Sequence, residues 1–159
     1  MSVGGTTINA LDLLKDHEKA LGQLYAAYAR RFASDREFWL GLSREEQQHA
    51  NWVQSLRSRI EDDLSSLVVD RFPAAVIEHS LVYVARLIER AEAPDTTRVN
   101  ALSNALDLER ALLEHRYLEV FSSGDPQIQR TLQLLRQSTQ THLRKVQDLW
   151  EACKQPASR

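Results

Sequence analysis

Apolar residues recur at steps of three and four along four long stretches of the chain, the spacing that keeps them on one face of an α-helix. The first stretch, from about Asn9 to Phe32, carries Leu11, Leu14, Leu21, Tyr25, Tyr28 and Phe32. The second, from about Asp35 to Leu64, carries Trp39, Leu42, Val53, Leu56 and Ile60. Another runs from about Thr96 to Phe121 with Val99, Leu102, Leu106, Leu113, Tyr117 and Val120. The last, from Pro126 to about Lys154, carries Ile128, Leu132, Leu135, Val146 and Leu149. A shorter helix is predicted from Pro73, a favourable first-turn residue, to near Ala93-Pro94. The segment Ser122-Ser123-Gly124-Asp125-Pro126 reads as a turn, with Asp125 as N-cap and Pro126 at the first helical position.

Four such stripes bury one another in a bundle. The short loop at Ala33-Ser34 makes the first two helices antiparallel neighbours, and the turn at Ser122 to Pro126 does the same for the last two. The shorter helix, about 20 residues at 1.5 Å each, spans roughly 30 Å and can carry the chain back along the bundle. The predicted fold is therefore all-α. One domain over residues 1–159 forms a four-helix bundle with an additional helix in the long crossover between helices two and four, the ferritin-like connectivity. The apolar residues of that additional helix (Val76, Ile77, Leu81, Val84, Leu87, Ile88) serve either the core or a dimer interface.

Composition narrows the class. Five glycines and four prolines in 159 residues are too few for a turn-rich β fold. A net charge of −2 offers no basic field to nucleic acid. The single cysteine, Cys153, excludes a disulfide framework and every multi-cysteine metal knuckle. No apolar run approaches the roughly 20 residues of a membrane span. Met1 to Thr7 lacks the basic and apolar regions of a signal peptide. A cytoplasmic protein is expected.

The chemistry lies in what interrupts the stripes. Glu18, Glu46, His49, Glu109 and His142 stand at positions otherwise held by Leu, Val, Tyr or Trp, each near the middle of its helix. A buried carboxylate is costly unless it is paired, protonated or bound to a metal. Glu46 and His49 are three apart and project from adjacent turns of one face. Carboxylate and imidazole together suit iron, manganese or zinc. Di-iron and di-manganese bundles use one Glu from each of two helices and a Glu-x-x-His from each of the other two. Here the single residues are Glu18 and Glu109, and the first Glu-x-x-His is Glu46 to His49. The second reads Thr139-Gln140-Thr141-His142, so a carboxylate is missing at 139. The spacings Glu18 to Glu46 and Glu109 to Thr139 differ by only two positions, an approximate two-fold repeat of helix pairs.

Three stretches carry a family resemblance. They are Glu18-Lys-Ala-Leu-Gly-Gln-Leu-Tyr25, Phe38-Trp-Leu-Gly-Leu-Ser-Arg-Glu-Glu-Gln-Gln-His-Ala50, and Ala105-Leu-Asp-Leu-Glu109 followed by Tyr117. The chain resembles the rubrerythrin-like branch of the ferritin-like superfamily along nearly its whole length. The resemblance implies a non-haem di-iron site, peroxide reduction or ferrous iron oxidation, and a homodimer. It lacks the family's cysteine-rich rubredoxin domain, so an external protein would have to supply electrons. Thr139 stands where the family has a carboxylate that bridges the two metals.

Three functions from different classes remain open: a rubrerythrin-like oxidoreductase, a metal-binding protein without efficient turnover, and a structural or interaction bundle whose site holds no metal. The missing carboxylate favours the second over the first, and five ligand-type residues in register weigh against the third. Glu45 and Glu114 read as solvent-facing, with support of a ligand as the lesser alternative for Glu45. His17, His79 and His115 fall off the ligand stripes and read as surface or packing residues. Trp39, Trp52 and Trp150 read as core or interface anchors. Tyr25 reads as core, within reach of a ligand hydrogen bond.

Overall fold

The computed structural model describes residues 3–69, 74–114 and 118–155. These described residues form five α-helices: α1 (Val3–Arg31), α2 (Arg36–Asp62), α3 (Ala74–Arg90), α4 (Arg98–Glu114) and α5 (Pro126–Lys154). A single 3-10 turn, Ala33–Asp35, joins α1 to α2. Two short strands, β1 (Val68–Val69) and β2 (Phe121–Ser122), pair antiparallel with Val68 opposite Ser122. Among the described residues the structure is all-α apart from this pairing, and no helix is long and apolar enough to cross a membrane.

Side-chain contacts between helices give their directions. Ser43 donates to the Gly22 carbonyl and Lys15 to Gln54, so α1 and α2 run antiparallel. Arg59 reaches Asp125 while Lys145 reaches Glu45, so α5 is antiparallel to α2. Asn104 donates to Tyr28 and Tyr25 to Glu109, so α4 is antiparallel to α1. It follows that α2 and α4 run the same way. His17 meets Ser80 and Arg30 meets Glu92, which lays α3 along α1 in the same direction. α3 therefore returns the chain along the bundle, as its length predicts.

The stripes of α1, α2 and α5 are buried as the spacing predicts. On α2 the buried residues are Trp39, Leu42, Glu46, His49, Ala50, Val53, Leu56 and Ile60. Two apolar clusters result. One gathers Leu21, Tyr25, Tyr28, Trp39, Leu42, Leu102 and Val146 with Ile77 and Val84 of α3. The other gathers Leu11, Leu14, Val53, Leu56, Ile128 and Leu135. The polar interruptions lie between the two: Glu18 between Leu14 and Leu21, Glu46 and His49 between Leu42 and Val53, and His142 between Leu135 and Val146.

The structure corrects several boundaries. α1 begins at Val3 rather than near Asn9, and its first turns bury Thr7 and Ala10. α4, described over Arg98–Glu114, does not continue to Phe121: residues 118–120 form a turn. Phe121 and Ser122 instead exchange backbone hydrogen bonds with Val68 and Val69, a local pairing that suits β-branched and aromatic residues. Val99 is 42% exposed, because the buried face of α4 centres on Leu102, Ala105, Leu106 and Glu109 and leaves Val99 at its rim. α5 keeps its predicted bounds, and the Asp125 carboxylate accepts from the backbone N–H of Gln127 at 2.8 Å and of Ile128 at 3.4 Å. Pro73, His115 and Tyr117 lie outside the described residues. On α3, Ile77 and Val84 serve the core, whereas Val76 remains exposed.

The start of α4 is tied to the start of α2 by a two-pronged ion pair. Arg98 Nε and Nη2 donate to Asp35 Oδ2 and Oδ1 at 2.5 and 2.8 Å, and Asp35 is nearly buried. Replacing Asp35 by Ala leaves the guanidinium without its acceptors. The expected loss is about 2 kcal/mol, read as a lower urea midpoint with an unchanged slope.

Candidate metal centre

Glu46 organises the polar level of the core. Its Oε2 lies 2.9 Å from His49 Nδ1, and its Oε1 lies 2.8 Å from His142 Nδ1. Glu18 adds Oε2 at 3.2 Å from His49 Nδ1. Glu109 adds Oε1 at 3.7 Å from His142 Nδ1. The two imidazoles stack with ring centres 4.9 Å apart and planes inclined by 21°. The arrangement has an approximate two-fold character. Each imidazole faces one carboxylate of its own, and both share Glu46. All five side chains are buried, Glu109 and His142 completely.

Helix geometry makes this convergence. The spacing of three places Glu46 and His49 on adjacent turns of α2. Gly22 lets α1 lie close beside them: a Cβ there would stand 3.3 Å from the Ser43 carbonyl oxygen and 3.5 Å from Glu46 Cβ. Tyr25, two turns after Glu18, donates its hydroxyl to Glu109 Oε1 at 2.6 Å and so fixes the α4 carboxylate from α1.

The outer faces of the imidazoles are also held. His49 Nε2 meets Ser138 Oγ at 2.6 Å, and His142 Nε2 meets Glu45 Oε2 at 2.5 Å. Lys145 in turn donates to both oxygens of Glu45. Trp52 stacks on His49 with ring centres 5.6 Å apart. Glu45 is therefore not simply solvent-facing: its carboxylate is partly exposed yet bonded to a buried ring. Of the two readings of Glu45, the lesser one, contact with a ligand-type residue, matches the arrangement, because α5 packs antiparallel beside it and brings His142 within reach. Ser138 was not foreseen at all. Its position one before Thr139 and four before His142 is the only sequence signal, and that signal needs the α2–α5 register to be read.

The remaining residues fall as follows. Thr139 is buried, and its hydroxyl donates to the Leu135 carbonyl of its own helix at 3.0 Å. His17 is buried and meets Ser80 of α3, a packing role. His79 and Glu114 are exposed. Trp39 is a core anchor, its ring tilted against Tyr25 and Tyr28 and edge-on to Phe38.

Electrostatics follow from burial and pairing. Burial alone would lower the imidazole pKa values, but the neighbouring carboxylates outweigh it. Glu18 and Glu46 raise His49 to about 10, and Glu109 and Glu46 raise His142 to about 11. Burial, and then the charge of Glu46, pushes Glu18 up to about 7. At neutral pH both rings are thus imidazolium, and each Nδ1–H points among carboxylate oxygens.

The residues fit a bound cation on two grounds. One ligand atom each of Glu46, His49 and His142 lies within 4.8 Å of the other two. Glu109 Oε2 is buried and has no hydrogen-bond partner among the described residues, an unmet acceptor beside the cluster. Three carboxylates and two imidazoles form a donor set that first-row divalent ions accept. No family model matches the chain, and neither a curated protein nor a solved structure matches it.

Metal-free, this cluster predicts an unusual pH response. The folded pKa of both histidines lies above the ordinary 6.5, so their contribution is complete below pH 6.5. It is lost as pH rises through about 10 and 11. The melting temperature of metal-free protein should therefore fall from pH 7 to pH 11, and fall less in the double variant His49→Gln, His142→Gln. Equal slopes for the two proteins would remove the imidazolium pairs as the cause.

Proposed function

We propose that this chain is a metal-binding protein of the rubrerythrin-like, ferritin-like type, with a centre for one or two ions between its four long helices. The supporting observation is the shared carboxylate. Glu46 turns one oxygen to each of two imidazole Nδ1 atoms, and Glu18 and Glu109 flank the pair. The two Nδ1–H protons mark where two cations would be held once the rings lose those protons. Glu18, Glu46 and His49 would hold one ion, and Glu109 and His142, with Glu46 between, the other. Iron is the proposed metal, with manganese or zinc accepted by the same donors.

Bound iron would supply one-electron redox chemistry for peroxide reduction or ferrous iron oxidation. The protein's own residues set the conditions for it. Tyr25 steadies Glu109, and Ser138 and Glu45 hold the outer nitrogens of the rings. The flanking apolar clusters limit water at this level. Electrons would come from an external redox protein. A cytoplasmic homodimer belongs to the same proposal.

A metal-free structural bundle is the alternative. The mutual hydrogen bonds of the cluster favour it, and the unmet oxygen of Glu109 weighs against it. Metal analysis after aerobic and iron-supplemented purification separates the two. Iron that is retained by the wild type and lost from Glu46→Ala supports a centre, whereas protein that stays metal-free in both preparations supports the bundle.

Thr139 limits the centre. Glu18, Glu46 and Glu109 place three negative charges against the four positive charges of a ferrous pair. A glutamate at 139 would project from the His142 face one turn earlier and balance them. Thr139→Glu is therefore expected to raise iron content toward two per chain and to increase peroxide-dependent iron oxidation. Without iron it should destabilise the fold by about a few kcal/mol, since it buries an unpartnered carboxylate. Iron content and thermal unfolding, each with and without metal, check both halves. Unchanged iron content would remove position 139 from the centre.

A further inference from the structure

The outer seam of α1 and α2 holds a groove of about 630 Å³ that the buried centre does not use. Gly22, Ala26 and Ser43 form its floor, and Lys19 and Gln23 of α1 face Arg44 and Gln47 of α2 across it. The floor is low because its residues are small and because Gly22 brings the helices together. A Cβ there would stand only 3.3 Å from the Ser43 carbonyl oxygen. The walls are high because their four side chains are long and exposed. Charge decides what such a groove can take. Lys19 and Arg44 make no ion pair or hydrogen bond among the described residues. Gln47 donates to Asn51, which leaves its carbonyl oxygen open, and the Gln23 amide has no partner among the described residues. No carboxylate lines the groove: Asp16 lies one turn before Lys19 but outside it, and Glu45 turns away to His142 and Lys145. No aromatic ring lines it either, so a stacked base is no part of the fit. A second copy of the same seam would set cation against cation.

We propose that this groove binds a small oxyanion of two or more negative charges, a phosphate ester or a polycarboxylate, held between Lys19 and Arg44. One cation stands on each wall, so an anion that bridges them needs a charge for each. The Arg44 guanidinium offers parallel N–H groups to a pair of oxygens, and the Lys19 ammonium supplies a point charge from the opposite helix. The amides of Gln23 and Gln47 can donate to further oxygens and accept from hydroxyl groups. The low floor lets the anion settle between the helices instead of resting over them. Gly22 also backs onto Glu46, its Cβ position 3.5 Å from Glu46 Cβ, so the groove and the centre share one wall. The site does not depend on the centre's holding a metal, since none of its residues belongs to the buried cluster.

The test titrates the full chain as purified with glycerol phosphate, citrate and acetate, and follows the backbone amides of Gly22, Ala26 and Ser43 by NMR. Ionic strength is held constant, because salt screens exposed charges. Glycerol phosphate or citrate should shift these amides to saturation, and acetate should not. The tighter of the two names the chemistry of the site. Lys19→Gln and Arg44→Gln should each raise the midpoint roughly fivefold, and the double variant should lose saturation. Ala26→Leu keeps both charges but raises the floor, so it should lose saturation too, which separates a shaped site from a diffuse field. An unchanged melting temperature in Lys19→Gln and Arg44→Gln shows that the seam itself is intact. Shifts that grow linearly for all three anions would overturn the inference, as would wild-type binding by the double variant or by Ala26→Leu. Tighter binding of a short polyglutamate peptide than of either small anion would overturn it in favour of an acidic protein surface.

Discussion

Glu46 carries a charge inside an apolar bundle, and its two oxygens each need a cationic partner. The cost of an unpaired buried carboxylate is large enough to dictate where the neighbouring helices stop sliding. Apolar stripes alone tolerate a shift of three or four residues, because Leu then faces Val instead of Leu. A one-turn shift of α5 would bring Thr139 or Val146 opposite Glu46 and leave the carboxylate only His49 of its own helix. Buried ionic groups contribute little net stability but can select one arrangement over its neighbours. Here the cluster sits between two apolar regions, and each of α1, α2, α4 and α5 contributes to it. It therefore sets the height of four helices at once.

That role explains what was legible in the sequence. The stripes of α1, α2 and α5 were readable because helix periodicity decides which face is buried, and the five polar interruptions could be seen against them. Their convergence followed from their mid-helix positions. The end of α4 was not readable, since the pairing of Phe121 and Ser122 with Val68 and Val69 joins residues far apart in sequence. Ser138 was hidden, and the choice between the two readings of Glu45 left open, for a related reason. Each lies at the edge of its helix's buried face, and its partner is fixed only by the register of α2 against α5. Periodicity gives a face to each helix but no angle between helices.

The absence of a carboxylate at 139 also has a structural side. Thr139 turns its hydroxyl to the Leu135 carbonyl and so satisfies itself within α5. It adds no charge to a level that already holds three carboxylates and two imidazoles. In the metal-free chain this near-balance lets protons do what a second pair of ligands would otherwise require of ions.

Protons and the proposed ions compete for the same lone pairs on His49 and His142. A change that holds the imidazolium protons more firmly stabilises the metal-free fold and opposes metal binding in the same measure, since each ion must displace them. Glu18, Glu46 and Glu109 stand on both sides of that competition, because they attract proton and cation alike. Glu45 and Ser138 stand outside that competition in position, since each meets the Nε2 of a ring rather than its Nδ1. The Glu45 carboxylate, itself held by Lys145, adds charge beside His142, whereas the neutral Ser138 adds none beside His49.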